Sequence, residues 1–166
     1  MNWADQNVPA ILQAWYPGQA AGTAIADVLF GDHSPAGRLP VTFYRDVEDL
    51  PPFEDYDMAG RTYRFFDGDV LYPFGHGLSY TTFAYDGLRV DADRLEADGQ
   101  VEVSVDITNT GEVAGDEVAQ LYVAYPGSGV DRPIRDLRGF QRVRLEPGET
   151  RTVTFTLTGR DVAYWD

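Results

Sequence analysis

The chain has two imidazoles, His33 and His76, and these are the first residues to weigh for chemistry. Neither has a second His or a carboxylate at a metal-ligand spacing such as HExxH, so no metal site is nominated. His33 stands in the turn GDHSP and is expected to face solvent. His76 lies within YPFGHGLSYTTF, residues 72–83, between Gly75 and Gly77, and glycines there suit a close approach of backbone to a neighbour. A structural joint fits that setting better than a ligand contact. Ser34, Ser79, Ser104 and Ser128 lack the GxSxG frame of a nucleophile elbow. Gly18 and Gly22 make no GxGxxG dinucleotide fingerprint. With no cysteine, disulfides, thiolate zinc sites and cysteine nucleophiles are all excluded.

Carboxylates are so plentiful that a general acid and a nucleophile could be drawn from almost any stretch. Asp86, Asp91, Asp93, Glu96 and Asp98 read as a solvated polar linker. Asp46, Glu48, Asp49, Glu54, Asp55 and Asp57 read as a charged loop. Spacing nominates no catalytic pair, and no catalytic residue is assigned. The polar–aromatic group Arg61, Tyr63, Arg64 and Phe66 in GRTYRFF is more interesting. Aromatic rings give sugars apolar faces, and a guanidinium gives hydroxyls fixed donors, so Arg61 and Tyr63 are the candidates for substrate contact. The competing reading pairs Arg with the acidic loop and packs the rings into a joint. An extended backbone here would put Thr62, Arg64 and Phe66 on one side and Tyr63 and Phe65 on the other.

These residues need elements to position them. VPAILQAW, residues 8–15, suits a buried strand, and Tyr16-Pro17-Gly18 a turn. In QAAGTAIADVLFG, Ala21, Ile25, Val28 and Leu29 recur at helical spacing, with Gly31 placed to end the helix left-handed. A further strand is expected at residues 39–43. Strand, turn and helix make half of a βαβ unit, so residues 1–50 read as the C-terminal part of a larger α/β layer. Residues 51–83 are an aromatic-rich connection, with nine aromatics between Phe53 and Phe83.

From residue 84 the pattern is β. Val101, Val103, Val105 and Ile107 alternate with polar residues, as expected of a half-buried antiparallel strand. Ala119, Leu121, Val123 and Tyr125 mark a second strand, LRGFQRVRL a third, and Val153, Phe155 and Leu157 a fourth with threonines outward. Residues 84–166 are therefore expected to form an immunoglobulin-like sandwich, incomplete by its last strand or strands.

Composition narrows the partners. All 13 basic residues are Arg, and the formal net charge is −14, which argues against nucleic acid and against anionic membrane surfaces. Hydrophobic residues at 43% suffice for a core, and no apolar run approaches the ~20 residues of a membrane span. The N-terminus lacks the basic region of a signal peptide.

The long phrases WYPGQ, GRLPVTF, YPFGHGLSYTTF, NTGEVAGDEVAQLYV and LRGFQRVRLEPGET resemble family 3 glycoside hydrolases, the β-glucosidases and β-xylosidases. Residues 1–50 resemble the end of that family's α/β-sandwich domain, and residues 84–166 its fibronectin type III-like domain. The resemblance implies retaining hydrolysis of β-linked glucosides or xylosides by a parent enzyme, without cofactor or metal. It implies a β-linked oligosaccharide or glycoside as the partner, met through the full-length enzyme. It also implies that the nucleophile lies in an N-terminal catalytic barrel absent from this chain, and that the acid/base lies upstream of WYPG. The isolated chain is then expected to be inactive, supplying scaffold and substrate-shaping loops. A periplasmic or extracellular parent would suit that chemistry. The alternative is a stand-alone β-sandwich module that binds carbohydrate or protein.

Overall fold

The fold was read from a computed structural model, which describes residues 1–164. Trp165 and Asp166, the end of the stretch assigned to the sandwich, lie outside the described residues. Helix α1 spans Asn2–Asn7 and helix α2 spans Ala21–Phe30. Gly31 ends α2 as expected, with a left-handed φ of 85° that a Cβ would strain.

Three expectations for the first half are corrected. Residues 8–15 form no strand, and Val8, Ile11, Leu12 and Trp15 are 37–50% exposed. A strand needs a hydrogen-bonding neighbour, and no described segment pairs with this one. The strand expected at residues 39–43 shrinks to β1, Phe43–Tyr44. Leu39 is engaged elsewhere, its N–H donating to His76 O at 2.8 Å and its carbonyl accepting from Gly75 N at 2.8 Å. Strand β2, Val70–Tyr72, pairs with β1 antiparallel. Finally, residues 62–65 are not extended but form a helical turn, α3 (Thr62–Phe65). The Thr62 N–H donates to the Tyr44 hydroxyl at 2.6 Å, and Arg64 O accepts from Ile134 N at 2.7 Å, which holds the chain curled between β1 and the later half.

The second half is a sandwich of two antiparallel sheets. Strands β3 (Phe83–Val90), β4 (Gln100–Asn109) and β7 (Thr150–Thr158) form one sheet. Strands β5 (Gly115–Val123) and β6 (Asp136–Leu145) form the other. The alternation read from the sequence sets the register, pairing Val101 with Leu157, Val103 with Phe155 and Val105 with Val153. Ile107, Ala119, Val143, Leu145 and Val153 close one core cluster, and Val101, Val103 and Leu157 a second. Burying each Val, Leu or Ile side chain of these clusters contributes roughly 1.5–3 kcal/mol.

Strand β3 corrects the polar-linker reading of Asp86. FAYDGLRV hides its alternation because the register shifts between Asp86 and Arg89, around Gly87 at φ 61°. Both crossovers between the sheets meet at Asn109, which is fully buried. Its amide donates to Val113 O at 2.9 Å and Leu145 O at 3.0 Å, and its Oδ1 accepts from Thr81 Oγ1 at 2.6 Å.

Candidate functional site

The segment between the two halves carries the sequence candidates, and its geometry is that of a joint with one exposed loop. Tyr63, presented by α3, stacks on Phe74 with centroids 4.2 Å apart and meets Tyr122 of β5 edge-on at 5.9 Å. Its hydroxyl accepts from Leu137 N of β6 at 3.1 Å. Arg64 Nε donates to Asp136 at 2.6 Å, and the same buried carboxylate accepts from Arg138 at 2.7 Å. A carboxylate this deep needs such donors, and here it has one from each side of the joint. The rings and Arg64 of GRTYRFF thus fasten the segment to the β5–β6 sheet.

Arg61 does something else. Its guanidinium donates to three backbone carbonyls of the preceding loop, Asp57 O at 2.9 Å, Asp55 O at 2.5 Å and Pro52 O at 3.1 Å. These bonds fix the loop's shape and engage the Nε and Nη2 donors of the guanidinium. At the loop's outer side Phe53 and Tyr56 are each 90% exposed.

The YPFGHG turn packs closely against both sides of the joint. The His76 ring stacks on Tyr72 at 5.4 Å, and among the described residues no carboxylate hydrogen-bonds it. Gly75 lies at φ 82°, and its carbonyl accepts from Gln120 Nε2 of β5 at 3.2 Å. A Cβ on Gly75 would strike the Gln120 amide, and one on Gly77 would strike the Gly37 carbonyl. Each glycine is therefore required by a neighbour's backbone or side chain. His33 is exposed, as expected.

Beside this turn lies a partly buried network. Arg38 donates to Glu117 at 2.5 Å, and the Tyr85 hydroxyl donates to the other Glu117 oxygen at 2.8 Å. Burial, followed by the hydrogen bond to Glu117, pushes the Tyr85 hydroxyl well above the usual phenol range. Arg38 precedes β1 while Glu117 and Tyr85 belong to the sandwich, so the pair spans the joint. The sequence held one signal for it: Glu117 shares the inward parity of Ala119 and Leu121, a charge placed where an apolar residue is expected. A cavity of about 590 Å³ lies alongside, lined in part by Arg38, His76, Ser79, Thr81 and Glu117.

Several of the charged loop and linker carboxylates serve the backbone. Asp46 and Asp49 form a capping box on the short 3₁₀ turn Val47–Asp49, and Asp91 accepts from Glu102 N at 2.7 Å. Among the described residues no group of three or more His, Asp or Glu is placed to hold a metal ion.

Comparison with known proteins follows the same division. Residues 1–80 match the model of the glycosyl hydrolase family 3 C-terminal domain, and residues 117–166 that of a fibronectin type III-like domain. The chain belongs to glycosyl hydrolase family 3. It is 49% identical over 162 residues to a xylan 1,4-beta-xylosidase of Xylanibacter ruminicola, covering 97% of this chain and 18% of that protein. It is 40% identical to a periplasmic beta-glucosidase of Salmonella typhimurium, covering 98% of this chain and 23% of the other. Among solved structures, a β-glucosidase of Erythrobacter marinus superposes with TM-score 0.86 at 46% identity, over 98% of this chain and 22% of that one. Beta-glucosidase 3B of Thermotoga neapolitana, in complex with glycerol, gives TM-score 0.85 at 37% identity, over 100% and 25%. The family 3 chain thus spans about a fifth of the length of the curated relatives it matches, and corresponds to their C-terminal part.

Proposed function

We propose that this chain is the C-terminal portion of a retaining β-glycosidase acting on β-linked glucosides or xylosides, in which it serves as buttress and loop carrier. Residues 1–50 would continue the α/β layer, 51–83 would form the joint, and 84–166 would form the sandwich. The catalytic carboxylates would come from outside the chain. One observation carries this reading. The donors and rings of the candidate segment are turned into the joint, through Tyr63 on Phe74 and Arg64 on Asp136, rather than gathered around a carboxylate pair. Arg61 and Tyr63 would then act on substrate at one remove, Arg61 by shaping the loop of residues 52–57 and Tyr63 by seating the segment. A stand-alone carbohydrate-binding sandwich has less support, because the outward row Thr152, Thr154 and Thr156 is exposed and carries no aromatic platform.

The test is a replacement. This chain is exchanged for the homologous C-terminal region of the Erythrobacter marinus β-glucosidase, which aligns over 98% of it. The chimera is expected to hydrolyse a nitrophenyl β-glucoside while the isolated chain does not. A folded chimera without activity, or activity in the isolated chain, would refute the reading.

A further inference from the structure

We propose that Phe53 and Tyr56 form a stacking platform for sugar units of a β-linked oligosaccharide beyond the unit being cleaved. The inference rests on the glycosidase reading above and names residues that decide chain-length preference. Both rings are 90% exposed, on one short loop. A loop exposing aromatics loosely would collapse on itself or wander, but this one is built. Arg61 holds the carbonyls of Pro52, Asp55 and Asp57, and Asp55 N donates to Pro52 O at 3.0 Å. Asp57 N donates to the Asp55 carboxylate at 2.9 Å, and Gly60 at φ 68° returns the chain toward Pro51. Rigid rings with few rotatable bonds lose little entropy when a ligand lands on them.

The chemistry around the rings selects the ligand. Glu54 and Asp57 are exposed carboxylates beside them, acceptors for hydroxyl donors. Three carboxylates, Glu54, Asp55 and Asp57, outnumber the loop's one cation, Arg61, so the loop is net negative and disfavours an anionic ligand. A neutral polyhydroxyl ring, apolar on its faces and donor-rich on its rim, satisfies both features. A protein surface covering Phe53 and Tyr56 is the competing occupant.

The active chimera separates the two. Phe53→Ala and Tyr56→Ala are each expected to raise KM for cellotetraose roughly three- to tenfold, the range of one aromatic contact. Their kcat on cellotetraose and both parameters on nitrophenyl β-glucoside should stay within about twofold, and Phe53→Trp should preserve the wild-type KM. Equal losses on both substrates, as a covered protein contact would give, or no change on either, would overturn the platform. A folded chimera inactive on both substrates overturns the glycosidase reading itself, and the platform with it.

Discussion

Glu117 shows how a single side chain can join two halves of a molecule. A carboxylate only 8% exposed is costly to bury, and it is held by Arg38 from one side and Tyr85 from the other. Glu117→Leu leaves the Arg38 guanidinium buried without its counter-charge, and is expected to cost about 3–5 kcal/mol in urea unfolding. Adding Arg38→Leu should recover much of that loss, since two apolar side chains then fill the same space. A double variant as unstable as the single would show that the pair does not carry the stability assigned to it. Arg61 and Tyr63 drew attention because Arg and Tyr are what a sugar site needs. A one-dimensional pattern gives residue types but not which way they point. The direction is set by Phe74, Tyr122 and the loop carbonyls, all made neighbours by folding.

At the scale of elements, the three-stranded sheet is pinned across its outer face by Asp106. Arg89 of β3 grips both carboxylate oxygens at 2.9 Å, and Thr152 of β7 donates to one at 2.5 Å. The Arg89 hydrogen bonds, with Thr152 second, lower the Asp106 carboxyl to about 2. Because the folded state binds this proton less readily than the unfolded chain, the contribution is fully present above the ordinary carboxyl range. It is lost as pH falls from about 4 to 2. Carboxyl NMR titration should place Asp106 near that value, and Arg89→Met should move it back toward the ordinary range. A midpoint still near 2 without Arg89 would assign the shift elsewhere. Legibility followed periodicity here. Strands β4 and β7 were plain because each alternates without interruption. Strand β3 was hidden by the bulge at Gly87, and α3 by contacts from Tyr44 and Ile134 that no local pattern encodes. The segment at residues 8–15 has strand composition without strand structure, because composition cannot supply a pairing partner.

Across the whole molecule, the claim is that two dissimilar parts behave as one body. Their union rests on the turn of residues 72–77, the Arg38–Glu117 pair and the Tyr63–Tyr122 contact. With a formal charge of −14 the chain repels itself, so a rigid joint must act against that tendency. The most direct measurement is calorimetric unfolding of Gly77→Ala beside Gly129→Ala. The added methyl meets the Gly37 carbonyl in the first variant and open space in the second. The joint account predicts one cooperative transition for the wild type and for Gly129→Ala. Gly77→Ala should instead split into an early transition of residues 1–80 and a late one of the sandwich, whose amide protection persists. Gly77→Ala unfolding in a single transition at the wild-type temperature would contradict it.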